Sequence, residues 1–383
     1  MEQFDLWDFD IPYRIALKPE FLRSLITLTK EQSYQKVYKK GSFEMPYVSF
    51  RAELKPSFRS FRLLKLIVKL CNILRIPLSV LRNNITMYKI SKGSVIIYKP
   101  ILPISCTPVI DMLLAHHFAD GNIKKDKGRH YSFGYRQYDT KYRELYIEKM
   151  HAAFGFIQNL HLGRFQREKR VSFPAAISPV FLKAYGLEAK DFLSCSARIP
   201  CVVFTRSADH RLAFILGFII DEGYVDSTNV LIRLKNTSLS DDLALLCESL
   251  GYSTVRTTQG TEDALYIHGP ALEKLYADYL ILVTNYPCVN LGWKGEQIAL
   301  NLRRRKKPKL FLPGNKKRAL EFLHSPLTVN QLALKLDVTR QGARYLVKEL
   351  INEERISVAG KVKWHALTYI QNDDRSSGRS FKG

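Results

Sequence analysis

The sequence predicts an α+β chain whose middle, residues 104–300, is a duplicated αββαββα core with pseudo-two-fold symmetry. A mainly helical N-terminal domain over 1–103 precedes it, and a module of three helices and a hairpin over 315–370 follows it. Three observations predict this. Leu212 to Gly223 is apolar on nearly every side and ends in Asp221-Glu222-Gly223, and Asp111 to Gly121 repeats the form, ending in Asp120-Gly121. After each segment the pattern runs hairpin, helix, hairpin, helix, which sets repeats of about 104–190 and 191–300. The C-terminal stretch instead shows apolar residues at helical spacing, interrupted by turn residues.

Composition bounds the partners. The 383 residues suffice for two or three domains, with 46% hydrophobic and 25% charged residues, an ordinary globular balance. Charge is the unusual quantity: 59 Lys and Arg against 36 Asp and Glu, a net +23. That surplus points to a polyanion, with nucleic acid ahead of an anionic membrane. No stretch of 18 apolar residues could span a bilayer, and the acidic start Met-Glu-Gln-Phe-Asp is no secretory signal. The six cysteines form no Cys-x-x-Cys pair, so zinc is not expected. A cytoplasmic location, associated with the nucleoid when bound to DNA, is the expectation.

In chain order, Glu20 to Gln35 and Phe61 to Leu74 read as helices and Val95 to Tyr98 as a strand. Lys39, Lys40, Arg51, Lys55, Arg59, Arg62, Lys65 and Lys69 alternate there with Tyr47, Phe50, Phe58 and Phe61, which fits either a phosphate-facing surface or a packing domain. Thr107 and Pro108 supply an N-cap and first-turn proline for the first apolar helix. Strands over 122–127 and 130–138, a helix over 139–154, a hairpin across 156–173 and a helix over 179–185 follow. Ser207 caps the second apolar helix, and Gly223 is expected as its left-handed C-cap. A strand over 230–235, a helix over 238–250 capped by Ser238 or Ser240, strands over 253–258 and 264–268, and a helix from Pro270 to about Leu282 complete the second repeat.

The acids at the two helix ends are misplaced by ordinary rules. A helix C-terminus carries partial negative charge, so a carboxylate there costs roughly 0.3–1 kcal/mol. Two such ends, if side by side, suit a shared cation site. Mg²⁺ takes oxygen ligands, accepts one or two carboxylates, and leaves room for water and phosphate oxygens.

Leu216-Gly217-Phe218-Ile219-Ile220-Asp221-Glu222-Gly223 and the looser Leu114-Ala115-His116-His117-Phe118-Ala119-Asp120-Gly121 resemble the paired motifs of the LAGLIDADG homing endonuclease family. The resemblance covers about 104–300 and implies helices packed side by side, with Asp120 and Glu222 as catalytic and metal-site residues beside a scissile phosphate. It implies Mg²⁺, with Mn²⁺ as an alternative, at a site including Gly121 and Asp221. Asp221 stands where the family has a small residue, and two readings stay open: a wider helix crossing or a further ligand. Phe118 replaces an acid, and His116 and His117 occupy normally apolar positions. Candidates for the assisting basic residue are Lys169 or Arg170 in the first half and Lys235 or Arg256 in the second. His116, His117 and His268 are alternative acids or bases.

Two related sheets of this kind form a saddle for a duplex major groove. Its candidate DNA-binding residues are Lys124, Lys125, Lys127, Arg129, Arg136, Arg164, Arg167, Lys169, Arg170, Arg233, Lys235 and Arg256. The run Arg303-Arg304-Arg305-Lys306-Lys307, with Pro308 and Pro313 beyond, reads as a basic linker over 301–314. Helices over 316–324, 327–337 and 340–354, with a hairpin of 355–358 against 360–364, resemble a winged helix-turn-helix domain. By that resemblance Thr339, Arg340, Gln341, Arg344 and Lys348 enter the groove, with Lys361 and Lys363 on the wing. Residues 371–383 read as a disordered tail.

The sequence therefore predicts a metal-dependent, sequence-specific double-stranded DNA endonuclease, a monomer with internal pseudo-symmetry. Two alternatives stay open: a transcription regulator on a non-catalytic core of this type, and an intron RNA splicing factor, with RNA as partner. The lack of Cys or Ser at the start and of His-Asn at the end argues against an intact intein.

Overall fold

The computed structural model describes residues 2–55, 61–91, 93–126, 130–158, 169–192, 197–226, 228–260, 262–306, 314–361 and 367–372. It is mixed helix and sheet, in two units: residues 1–224 with 230–292, and 225–229 with 293–383.

In the first unit the order is β1 (Gln3–Phe4), β2 (Tyr13–Leu17), α1 (Pro19–Glu31), α2 (Tyr34–Gly41), α3 (Tyr47–Glu53), β3 (Arg62–Leu63), α4 (Leu64–Ile73), α5 (Leu78–Asn83), β4 (Ile85–Ile90), β5 (Ile97–Tyr98) and β6 (Ile104–Ser105). The first apolar helix is α6 (Pro108–Ala119), followed by β7 (Gly121–Asp126), β8 (His130–Arg136), α7 (Thr140–Phe154), β9 (Phe156–Ile157), β10 (Arg170–Phe173), α8 (Ser178–Ala184) and α9 (Cys201–Thr205). The second is α10 (Ala208–Asp221), followed by β11 (Gly223–Val225), β12 (Asn229–Leu234), α11 (Thr237–Glu248), β13 (Thr254–Gln259), β14 (Glu262–His268) and α12 (Gly269–Asn285).

Helices α6 and α10 pack along each other at the centre, and both are buried on every side. Such helices have no polar face to give to water, so only a surround of other elements can stabilise them. Their crossing is close because the residues at the contact are small. A Cβ on Gly217 would lie 2.6 Å from the Cβ of Ala115 and 3.1 Å from Met112 O. Antiparallel sheets flank them, in the orders β10-β8-β7 and β11-β12-β14-β13.

The structure departs from the sequence reading in several places. The N-terminal segment carries a sheet, β3-β2-β4-β5-β9, besides its helices. Its last strand comes from Phe156–Ile157, pairing Ile97 with Ile157. The expected hairpin across 156–173 is therefore absent among the described residues, since β9 pairs with β5 and β10 with β8. Gly223 is not a left-handed cap; it opens β11 directly. The helix expected from Ser238 is capped instead by Asn236, whose side chain accepts from Leu239 N at 3.1 Å.

In the second unit, α13 (Trp293–Lys306) carries Arg303, Arg304 and Arg305 in helix rather than linker. Then come α14 (Asn315–Phe322), β15 (Leu327–Thr328), α15 (Val329–Leu336), α16 (Arg340–Asn352), β16 (Ile356–Lys361) and β17 (Leu367–Gln371). The three strands form one antiparallel sheet, β15-β17-β16, in which Gly360 and Lys361, expected to open the second strand of a hairpin, continue β16 and pair with Thr368 and Leu367; 362–364 lie outside the described residues. Ala319, Leu320, Leu323, Leu332, Leu336, Leu346, Val347 and Leu350 make its core. Asp337 turns the chain in the left-handed region, φ 55°, and Thr339 caps α16 by accepting from Gly342 N at 3.0 Å.

Candidate active site

The ends of α6 and α10 are built alike. Asp120 and Glu222 are both C-cap residues, at φ −101°, ψ 12° and φ −101°, ψ −4°. Each donates its backbone N–H to the carbonyl four residues back, His116 at 3.1 Å and Phe218 at 2.9 Å. Each carbonyl accepts from an arginine on the returning strand, Arg136 N at 3.0 Å and Arg233 N at 3.4 Å. Gly121 and Gly223 follow, and a Cβ on either would stand 2.3 Å from a helix carbonyl, His117 O or Ile219 O. Glycine is required at both because the strand begins directly after the C-cap acid, with the helix's last turn against it. Three residues after each arginine stands the N-cap of the next helix, Asp139 or Asn236, and both caps accept a backbone N–H. The two halves thus align position by position: Tyr135 with Ile232, Gln137 with Leu234, Ala119 with Asp221.

Around this frame the side chains differ. Gln137 Nε2 donates across 3.3 Å to Asp120 Oδ2 and 3.5 Å to Asp221 Oδ1, which places the two helix ends beside each other. The Asp221 side chain is fully buried. Its Oδ2 lies 2.7 Å from His116 Nδ1, and its Oδ1 accepts from the Tyr135 hydroxyl at 2.6 Å. A carboxylate only accepts, so the His116 tautomer here carries its proton on Nδ1. Burial pushes the His116 pKa down, against an upward pull from Asp221, so the ring is neutral at neutral pH. Burial, and Asp221 after it, hold the Tyr135 phenol well above its ordinary range, which keeps it a donor. Lys149 is buried nearby, its ammonium brought down to about 8 by desolvation while Cys288 and Asp221 favour its charge.

A second buried carboxylate joins the helices at their other ends. Asp111 on α6 accepts from Tyr185 Oη at 2.5 Å and from Arg206, and it pairs with His210 of α10. So each helix gives an aspartate to a histidine of the other.

The remaining site residues fall out as follows. Gln137 N donates to Lys169 O at 2.9 Å, but the Lys169 ammonium lies 4.6 Å from the Tyr138 ring centroid. Arg136 flanks the same exposed ring, its Nη2 3.1 Å from the Tyr138 hydroxyl. Arg170 is bonded to Asn122 Oδ1 at 3.0 Å. Arg233 and Lys235 share an exposed face at the end of β12. Arg256 is engaged by Asp263 at 2.8 Å and by Asp241. Lys124 and Lys125 lie in β7, and Lys361 in β16. Lys127, Arg129, Arg164, Arg167, Lys363 and most of the tail over 371–383 lie outside the described residues. His117 is packed among Phe133, Phe181 and Tyr146, and burial takes it down to about 3. In the second unit Arg303 is exposed on α13, and Gln341, Arg344 and Lys348 are exposed on α16 with Arg340 half-buried. Sequence reasoning missed Tyr135 and Gln137; their place three and five residues after β7's hairpin partner Ser132 carried no signal without the fold.

No described helix is long and apolar enough to cross a membrane. Among the described residues, no group of three or more His, Cys, Asp or Glu side chains gathers to hold a metal ion. The donors at the paired helix ends are single half-buried carboxylates, Asp120 and Glu222. That set suits a hard divalent cation which completes its shell with water and substrate phosphate oxygens.

The geometry is that of an acid-bearing helix pair under antiparallel sheets, in a strongly basic chain. The family model described as Homing endonuclease matches residues 198–269, from just before α9 to the start of α12. No curated protein matches the chain. The family match supports a homing endonuclease family, nuclease function at the family level, and DNA as the substrate such a domain implies. Homing endonucleases generally use divalent metals.

Proposed function

We propose that the chain is a double-stranded DNA endonuclease with a duplicated LAGLIDADG core over residues 104–300, acting as a monomer with pseudo-two-fold symmetry. One observation carries this reading: two adjacent helices end in the same backbone conformation, and each ends on a carboxylate, Asp120 or Glu222. Each acid serves one strand. Gly121 and Gly223 let the strand leave directly after the acid, so that the acid sits where helix passes into sheet. Mg²⁺ or Mn²⁺ held by these acids supplies charge neutralisation at the scissile phosphate and an activated water.

The chain's own residues orient and attract. Gln137 fixes the Asp120 carboxylate from the side. Arg136, Lys169, Arg233 and Lys235 stand near the helix ends as phosphate contacts and as the candidates for assisting basic residues. The second unit is read as a winged helix-turn-helix, with Arg340, Gln341, Arg344 and Lys348 presented to a major groove. This module adds affinity and register without touching the chemistry.

The test is cleavage of a library of duplexes with Mg²⁺ or Mn²⁺, strand by strand, in wild type, Asp120→Asn and Glu222→Gln. Each substitution is expected to abolish one nick, by about 100-fold or more, because metal-assisted charge stabilisation is worth several kcal/mol. DNA binding should survive in both. Wild-type binding without any cleavage overturns the nuclease and favours a regulator.

A further inference from the structure

The Asp221 carboxylate joins elements that no helix-packing role requires it to join. Its two oxygens are divided. Oδ2 meets His116 Nδ1 across the helix interface, while Oδ1 takes the Tyr135 hydroxyl at 2.6 Å and the Gln137 amide at 3.5 Å. Tyr135 lies in β8 and Gln137 just after it, on the strand that returns to Asp120. The same Gln137 amide nitrogen reaches Asp120 Oδ2 at 3.3 Å. A residue of the second helix is thereby linked, through one side chain, to the acid of the first.

We propose that Asp221 is a positioning residue for the first active site: held by His116 and Tyr135, its carboxylate sets the Gln137 amide against Asp120. The proposal deepens the nuclease reading above and rests on it for its consequence in catalysis. The equivalent positions carry different side chains. Ala119 stands at the position of Asp221, Leu234 at that of Gln137, and Ile232 at that of Tyr135. Through these positions, influence runs from the second helix to the first site.

The chemistry suits positioning rather than metal ligation. The Asp221 side chain has no exposed surface, and three donors already converge on its two oxygens. The other nitrogen of His116, Nε2, is the unprotonated acceptor of this tautomer, and among the described residues it is buried with no donor to it. A protein accepts such an orphan where the bond on the opposite nitrogen matters more. An amide bridging two carboxylates has one further effect. Its two N–H groups offset part of the repulsion between Asp120 and Asp221, and so fix the orientation of Asp120 before DNA or metal arrives.

Strand-resolved nicking separates positioning from mere stability. Asp221→Asn keeps shape and volume, and Tyr135→Phe removes one donor. Both are expected to slow the Asp120-dependent nick, by about 10- to 100-fold for Asp221→Asn, the range of a lost outer hydrogen-bond partner. The Glu222-dependent nick should stay within about twofold. Equal slowing of both strands, or of neither, overturns the proposal.

A second readout is independent of activity. Full-length protein labelled with ¹⁵N-glutamine gives the Gln137 side-chain amide signal, assigned by its loss in Gln137→Leu. Asp221→Asn and Asp120→Asn should each shift that signal, whereas Glu222→Gln should not. No shift in Asp221→Asn overturns the proposal, even in a protein that cuts nothing. Wild-type inertness toward DNA alongside the expected shifts overturns only the nuclease reading.

Discussion

The ends of α6 and α10 are a pair in which backbone and side chains tell different stories. In backbone they agree closely, with the same φ of −101° and ψ of 12° and −4°, down to the glycine each requires and the arginine amide each carbonyl receives. In side chains, the Asp120 end is wrapped in polar groups, Gln137, Tyr135 and His116, where the Glu222 end has Leu234, Ile232 and Phe218. Acid placement depends on main-chain geometry, and glycine and hydrogen bonds hold that geometry without help from neighbours. The surroundings were free to differ, and the two sites have become chemically unequal while remaining geometrically equal.

Breaking the shared frame should have the largest effect. Gly217→Val would drive a branched side chain into Ala115 and the Met112 carbonyl, where a Cβ alone already comes within 2.6 Å. Overpacking of this kind costs about 1–3 kcal/mol or more, and both helix ends move with it. A lower urea midpoint should accompany loss of both nicks together, not of one.

Acid stability sharpens the comparison at His117, whose counterpart is Ile219. Burial places His117 at about 3, well below the ordinary histidine value. The unfolded chain therefore binds more protons than the folded one between that ordinary value and about 3. Stability falls as pH drops through this window and is fully present above it. His117→Ile, which copies the second helix, should flatten the fall of melting temperature below about pH 6. An unchanged pH profile would show that His117 is protonated in the folded chain.

The smallest expected effect is a gain. Leu234→Gln gives the Glu222 end the amide that the Asp120 end has. The ratio of the two nicking rates should move toward unity by less than about tenfold, measured on a nicked-strand assay. A ratio that moves away from unity would mean that Gln137 restrains Asp120 rather than presents it.

Much of this was legible in the sequence. Acid-then-glycine after a fully apolar helix is a local signal, so Asp120, Glu222, Thr107 and Ser207 could be placed by reading along the chain. The partners of Asp221 could not, because His116 and Tyr135 are 105 and 86 residues distant and become neighbours only when the helices cross. Nor could β9, a two-residue strand whose pairing with Ile97–Tyr98 leaves no alternation to read. Arg256 shows the limit of counting charge: a basic residue on a strand reads as a phosphate contact until Asp241 and Asp263 are seen beside it. Lys306 closes a helix where prolines a few residues on had suggested an irregular linker.

The exchanged aspartate–histidine pairs, Asp111 with His210 and His116 with Asp221, bear on how the chain could be assembled. Two copies of the first half would set Asp111 opposite Pro108 and His116 opposite Ala119; two copies of the second would bury Asp221 against Phe218 and leave His210 facing Ala213. Each mismatch strands a desolvated carboxylate or imidazole, and a buried charge stripped of its partner costs about 3–5 kcal/mol. A chain severed between the halves should therefore recombine as mixed pairs and shun homodimers, so covalent fusion here joins two pieces that have ceased to be interchangeable.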